Sequence, residues 1–178
     1  SSETTIGGDP RGFKFSYDGK KLFIVHQVSN TKGRVDEFTL STPYDLDTKT
    51  KTNSLTLSYT AGRRQGINFS SDGYKLFITN GATSGVDPEE TNNLIREFSL
   101  NSPFDISNPT NNGDFQPSYE EDFRLTGLTF NNDGSKMFHT DFTNHKVYEY
   151  TLFCGFGVKT CTDPTNDKDD VASVEAQS

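Results

Sequence analysis

The sequence predicts an all-β chain made of three repeated antiparallel units, and three observations carry that prediction. A motif of 13 residues, Gly12-Phe-Lys-Phe-Ser-Tyr-Asp-Gly-Lys-Lys-Leu-Phe-Ile24, returns as Gly66-Ile-Asn-Phe-Ser-Ser-Asp-Gly-Tyr-Lys-Leu-Phe-Ile78 and as Gly127-Leu-Thr-Phe-Asn-Asn-Asp-Gly-Ser-Lys-Met-Phe-His139. A second motif follows each copy: Val35-Asp-Glu-Phe-Thr-Leu40, Ile95-Arg-Glu-Phe-Ser-Leu100 and Val147-Tyr-Glu-Tyr-Thr-Leu152. No stretch shows a helical period. Gly12 to Gly66 is 54 residues and Gly66 to Gly127 is 61. That leaves room for three or four short strands per unit, and a period of about fifty residues with four strands marks a β-propeller blade.

The first motif reads as a hairpin. Phe13 and Phe15 alternate across one short strand. Asp18-Gly19 then supplies a tight turn, glycine taking positive φ freely and aspartate tolerating it. Leu22 to Val25 return as a strand apolar on both faces, as a strand covered on both sides should be. Asp72-Gly73 and Asp133-Gly134 repeat the turn in the same frame. The second motif is a further strand, stopped at Pro43 and Pro103, which cannot donate to a ladder.

In chain order, residues 1–11 are a polar arm, of which Glu3–Gly7 is a candidate ring-closing strand. Residues 12–60 form blade one, with a rim loop at Gln27–Arg34, a solvated linker at Asp47–Asn53 and a fourth strand at 54–59. Residues 61–120 form blade two. Its loop Asn80–Asn93 is the longest insertion between matched strands, and its Asp87, Glu89, Glu90 and Asn92 are candidate contact residues. Ser107–Gly113, carrying Asn108, Asn111 and Asn112, reads as a turn region, and a weak fourth strand is expected near Gln116–Tyr119. Residues 121–161 form blade three. There the motif breaks after Leu152 into Phe153-Cys-Gly-Phe-Gly, and a cysteine-bounded hairpin is expected to end the array. Residues 162–178, with Asp163, Asp167, Asp169 and Asp170, read as an acidic linker or tail.

The Phe-Ser-x-Asp-Gly-x-Lys-Leu-Phe core resembles bacterial and phage β-propeller repeats of the TolB/YVTN type, over residues 12–152. Tyr17, Ser71 and Asn132 stand where those repeats commonly place proline before Asp-Gly. The extension Val-x-Glu-Phe/Tyr-x-Leu-Ser-x-Pro-Phe/Tyr-Asp is similar to a variant in marine bacterial cell-surface and phage proteins. The resemblance implies a propeller fold and a bacterial or phage surface protein; it implies no particular activity.

The chain has 178 residues, enough for one domain with a sizeable core. Only 30% of residues are hydrophobic and the mean hydropathy is −0.71, but the apolar residues gather in the strands. This is the composition of folded β structure with polar loops. A net charge of −8 and a pI near 4.8 argue against a nucleic-acid footprint and against docking on an anionic membrane. No segment has the roughly 20 apolar residues of a membrane helix. No leader pattern opens the chain, and Ser1 in place of Met reads as a processed, trimmed or engineered start. Cys154 and Cys161, the only two cysteines, bracket a loop short enough for a disulfide in an oxidising compartment, the alternative being two unpaired thiols.

Catalytic signatures are missing: there is no Gly-x-Ser-x-Gly, no His-Glu-x-x-His and no phosphate-binding glycine loop. No catalytic, metal or cofactor residue is therefore assigned. His139 and His145, with Asp141 between them, read as a surface hairpin rather than a metal site, and His26 stands alone. Glu37, Glu97 and Glu149 recur at one strand position and read as structural carboxylates that bond backbone amides between blades. The acidic run at 163–170 lacks the glycine and glutamate of a calcium loop. The sequon Asn68-Phe-Ser70 falls inside a strand.

Three blades are fewer than a closed propeller needs, so both end flanks should expose apolar faces and strand edges. Three ways of covering them are open: pairing of two chains into a six-bladed ring, further blades of a longer array, or head-to-tail stacking. The function expected is a non-enzymatic extracellular or cell-surface module for adhesion, assembly or protein contact. The alternatives are a carbohydrate-binding propeller, weakened by the absence of Trp, and a propeller hydrolase or lactonase.

Overall fold

Each Asp-Gly motif folds into the hairpin its alternation dictates. A computed structural model describes residues 5–58, 62–81, 93–117, 124–158 and 172–175. Blade one consists of β1 (Asp9–Phe15), β2 (Lys21–Gln27), β3 (Lys32–Leu40) and β4 (Lys49–Ser58). Blade two consists of β5 (Arg63–Phe69), β6 (Lys75–Gly81), β7 (Leu94–Ser99) and β8 (Thr110–Phe115). Blade three consists of β9 (Leu125–Phe130), β10 (Lys136–Asp141), β11 (Lys146–Thr151) and β12 (Ala172–Glu175). Each blade is a four-stranded antiparallel meander in chain order. Strand β5 lies against β1 and β2, and β9 against β5 and β6, so the first strands of successive blades are neighbours. Gly12 and Gly66 permit that approach. A Cβ on Gly12 would sit 3.1 Å from the Gln65 carbonyl, and one on Gly66 3.2 Å from that of Thr126.

The second strands are buried on both faces as expected, Leu22 to His26 and Leu76 to Gly81 being covered throughout. One face of β2 and the facing side of blade two make the first core: Phe23, Val25, Val35 and Leu57 pack on Ile67, Phe69, Leu76 and Ile78. A second core joins blades two and three, where Phe77 and Ile95 meet Leu125, Met137, Tyr148 and Tyr150. A smaller third cluster of Leu22, Ile24, Phe38 and Leu40 lies on the outer side of blade one.

Several expectations need correction. The Asp-Gly turns are not two-residue turns with aspartate at positive φ. Only Gly19, Gly73 and Gly134 take positive φ, at 69°, 76° and 71°. The first turn closes where Gly19 N–H donates to Ser16 O at 2.9 Å and Ser16 N–H to Lys21 O at 3.0 Å. The aspartate contributes through its carboxylate instead. Asp18 accepts from Ser16 Oγ at 2.7 Å and Lys20 N–H at 3.0 Å. Asp72 accepts from Ser70 Oγ and Tyr74 N–H, and Asp133 from the Ser135 N–H and hydroxyl.

The linker expected at Asp47–Asn53 is mostly β4, an exposed outer strand whose alternating Lys and Thr suit an edge. The turn region expected at Ser107–Gly113 supplies β8, so the fourth strand of blade two precedes Gln116. Asn112 sits at a bulge there and donates to Glu97 Oε1 at 3.0 Å and Ser99 Oγ at 2.8 Å. Side-chain hydrogen bonds let a polar segment join a sheet that apolar patterning does not announce. Residues 5–8 form no strand, and Glu3 lies outside the described residues.

The third repeat does not stop at Leu152. Phe156 takes the place held by Tyr44 and Phe104. All three sit at positive φ (62°, 55° and 57°), and each donates its N–H at 2.9 Å to the carbonyl of its own turn glycine. Each ring covers that glycine so closely that a Cβ would meet it at 2.2–2.4 Å. Cys154 corresponds to Thr42 and Ser102 in this turn, its carbonyl accepting from Gly157 N–H at 2.8 Å. The tail expected over 162–178 contributes β12, which pairs with β11 through Glu149↔Glu175 and Tyr150↔Val174.

Candidate interaction surfaces

The blades are joined by one repeated polar clasp set in an apolar joint. Lys21 pairs with Glu37 at 2.8 Å within blade one, and donates to the Phe104 carbonyl of blade two at 2.7 Å. Lys75 pairs with Glu97 at 3.1 Å, and donates to the Phe156 carbonyl of blade three at 3.0 Å. Glu97 Oε2 also accepts the Val158 N–H at 2.9 Å. The carboxylate thus bonds a backbone amide across the joint, as the repeated glutamate predicts. In the first joint Glu37 Oε2 lacks such a partner. Beside each clasp stands an aromatic pair, Phe23 on Phe69 and Phe77 on Phe130, both with ring centroids 4.6 Å apart.

The first joint carries one more polar anchor. Arg64 of blade two is fully buried. Its Nη1 donates to the Ser29 carbonyl at 2.9 Å, and to the Lys32 carbonyl at 3.2 Å. Its Nη2 donates to the Asn30 carbonyl at 3.3 Å. A blade-two cation thereby holds the β2–β3 turn of blade one.

The outer flanks repeat these parts without a partner. On blade three, Lys136 pairs with Glu149, and among the described residues no carbonyl of a following blade meets it. Val147 is 56% exposed, whereas Val35 and Ile95 at the same position are at 0%. Phe138 is half-buried where Phe23 and Phe77 are fully covered. On blade one, Phe13 is 67% exposed against 7% for Ile67, and Tyr44 58% against 9% for Phe156. These residues, with Phe15, Leu22, Ile24 and Leu46, line an open apolar groove of about 570 Å³.

Blade one also carries a charged cluster. Asp36 is buried and meets Arg34 Nε and Lys51 Nζ, each at 2.8 Å, and accepts from Ser54 Oγ at 2.8 Å. His26 Nε2 stands 3.4 Å away. Burial alone would raise the Asp36 carboxyl, but Lys51, Ser54 and Arg34 hold it below its ordinary range. Burial pushes the His26 imidazole down, and the Asp36 charge only partly offsets that. The Ser54 hydroxyl donates to the carboxylate and is not held by the imidazole, so this is not a nucleophile–base arrangement.

The remaining candidates have plain locations. His139 is not on a surface hairpin: it is buried between blades two and three, stacked on Tyr148 with ring centroids 5.2 Å apart. Its Nε2 lies 3.3 Å from the Tyr150 hydroxyl. Burial lowers its pKa to about 4. Asp141 accepts from Arg124 N–H, Thr143 N–H and the Asn144 amide, and His145 is exposed at the turn with φ 55°. Among the described residues no three potential metal ligands gather. Asn68 is buried and donates to the Leu128 carbonyl at 3.1 Å, in a strand as read. Asp87, Glu89, Glu90 and Asn92 of the long loop, Cys161, and Asp163, Asp167, Asp169 and Asp170 lie outside the described residues. Sequence reasoning did not single out the clasp lysines Lys21, Lys75 and Lys136. Their signal was present, since all three stand two residues after a turn glycine.

No protein-family model matches the sequence, and no curated protein matches it. Solved structures do. A candidate 6-phosphogluconolactonase from Bacteroides uniformis aligns with a TM-score of 0.59 and 12% identity, over 94% of this chain and 41% of that one. A second, from Bacteroides fragilis, aligns at 0.57 and 13%, over 95% and 42%. The β-propeller domain of Cps50 (Swd1) from Myceliophteria thermophila aligns at 0.52 and 15%, over 93% and 42%. At such identities the likeness establishes the fold: the chain is built of β-propeller blades. It spans about two fifths of the length of each of these chains.

Proposed function

We propose that the chain is a non-catalytic β-propeller module of a bacterial or phage surface, extracellular or surface-exposed, that works by binding other protein surfaces. The observation that carries this reading is the pair of outer flanks. Each repeats the apolar and polar parts of an inner joint, yet leaves exposed the side chains that the inner joints bury. Apolar faces of this kind, rimmed by charge, are interaction surfaces rather than ordinary protein exterior. Among the described residues the carboxylates that recur in every unit are engaged in turns and clasps, and the Ser54 hydroxyl beside the His26–Asp36 pair donates to the carboxylate rather than to the imidazole. A bridge between Cys154 and Cys161 belongs to the same reading.

The structural likeness to candidate lactonases makes lactone hydrolysis the activity to test. Purified protein should hydrolyse 6-phosphogluconolactone and simple γ- and δ-lactones no faster than buffer, with or without added divalent metal. Turnover above that rate would overturn the non-catalytic reading. Denatured protein should show no reactive thiol until it is reduced; two free thiols would remove the bridge and the compartment argument with it.

A further inference from the structure

We propose that blade two cross-links itself: the Lys75 amine displaces ammonia from the Asn112 side-chain amide, and Glu97 moves the protons. The product is an amide bond that runs from β6 to β8 over β7. The reaction takes place once in each chain, so it stands apart from the contact-module reading and from lactone turnover.

Strand register brings the three groups together. Lys75 lies opposite Ser99 and Phe77 opposite Glu97, so Lys75, Glu97 and Ser99 share one face of the sheet. On β8, Asn112 is the extra residue of a bulge, between the partners of Phe98 and Glu97. A bulge re-aims its side chain, and this one reaches back over β7. Lys75 Nζ stands 3.1 Å from Glu97 Oε1. Asn112 Nδ2 donates to that same oxygen at 3.0 Å and to Ser99 Oγ at 2.8 Å. Attacking amine and leaving amide thus meet at one carboxylate oxygen, the place a proton carrier between them must hold. Blade three roofs the site. The Phe156 carbonyl accepts from Lys75 at 3.0 Å, the Val158 N–H donates to Glu97 Oε2 at 2.9 Å, and the Glu97 side chain is 0% exposed.

The other blades show that the clasp does not need an asparagine. Blade one keeps the Lys21–Glu37 pair, and the residue at its bulge is Thr52, whose hydroxyl donates to the Glu37 carbonyl at 3.4 Å. Blade three keeps Lys136–Glu149 and has Ser173 at the matching place. Neither threonine nor serine offers a side-chain carbonyl for an amine to attack. The amide is peculiar to the blade whose clasp carboxylate is fully buried.

The step balances within the chain. Glu97 takes one proton from the Lys75 ammonium, because the amine is the nucleophile. The amine attacks Asn112 Cγ and the Nζ–Cγ bond forms. The Cγ–Nδ2 bond breaks as Glu97 passes its proton to Nδ2, which leaves as ammonia. The second proton shed by Nζ returns to Glu97. A buried ion pair is replaced by a neutral amide and a neutral acid, with no oxidant, metal or cofactor consumed.

The test is the mass of the purified 178-residue chain after reduction of its cysteines. It should weigh about 17 Da less than its sequence, the mass of one ammonia. Trypsin should not cut after Lys75 but should cut after Lys21, and tandem mass spectrometry should find Lys75 Nζ joined to Asn112. The full sequence mass overturns the proposal. So does a loss carried by Asn112 alone, as a cyclic imide with Gly113. Asn112→Thr installs the residue of blade one, retains the unreacted Lys75–Glu97 clasp, and should keep its full mass. Glu97→Gln should also be unlinked; a cross-link as complete as in the native chain overturns the role given to Glu97.

Discussion

The joint between blades two and three and the outer flank of blade three are built from the same parts and differ only in being covered. Lys75 and Glu97 form a buried clasp that reaches the next blade at the Phe156 carbonyl and the Val158 N–H. Lys136 and Glu149 form the same pair at the surface. The lesson is that a clasp's worth comes from its setting. A pair shielded from water, with its remaining hydrogen-bonding capacity met by backbone groups, is costly to break. The same pair in solvent contributes within about 1 kcal/mol.

Four measurements sharpen or break that contrast. The largest effect is expected at Arg64, the cation held by three carbonyls of blade one. Arg64→Met keeps the bulk but removes all of these charge-assisted hydrogen bonds from a buried joint, and urea unfolding should show a loss of about 4 kcal/mol. Next is acid. His139 is neutral in the fold, with a pKa lowered to about 4 from 6.5. The unfolded chain takes up a proton below 6.5 and the folded chain does not until about 4. Stability should therefore fall as pH drops through that window, by about 3 kcal/mol in total. A His139→Asn variant should flatten that part of the stability–pH curve. Third, Lys75→Met leaves the buried Glu97 without its cation and should cost about 2 kcal/mol in the same unfolding measurement. The smallest effect is Lys136→Met, below about 0.5 kcal/mol. Equal losses for the two lysine variants would sink the comparison.

The turn aspartates add a minor slope at lower pH. Serine hydroxyls and backbone amides hold them below their ordinary range, most plainly at Asp18 through Lys20 N–H and the Ser16 hydroxyl. Their contribution is present above the unfolded value of 3.8 and is lost as pH falls through the lower folded value.

The sequence made the blade legible because a hairpin is a local object. Phe13 and Phe15 alternate, Gly19 demands its turn, and the apolar run from Leu22 announces a doubly covered strand. The recurrence of Glu37, Glu97 and Glu149 even foretold a carboxylate bonding across a joint. The fourth strands were harder to read. β8 is held by Asn112 reaching Glu97 and Ser99, and β12 pairs with β11 from far along the chain. β8 carries no apolar pattern, and β12 alternates over only four residues, Ala172 and Val174 with Ser173 and Glu175. Phe156 was misread because its neighbours changed, proline to glycine and aspartate to glycine, while the geometry depends only on the aromatic and the turn glycine it covers. His139 was misplaced because burial between two sheets is not written in the spacing to His145. Open end flanks followed from three repeats, but which side chains face each flank could be read only once coordinates assigned each alternating side chain to one neighbour or the other.

The aromatic clip at Tyr44, Phe104 and Phe156 has one further implication. It ties the end of each third strand to its own hairpin turn, so strand register is locked from one rim. Among the described residues the opposite rim carries no such clip in common to the three blades. There the links after the second strands run over four residues at 28–31 and 142–145 but twelve at 82–93, so the blade accepts links of different length at that rim. A short tag inserted within 84–90, leaving Asn93 to accept the Leu125 N–H of blade three, should therefore leave every strand pairing in place.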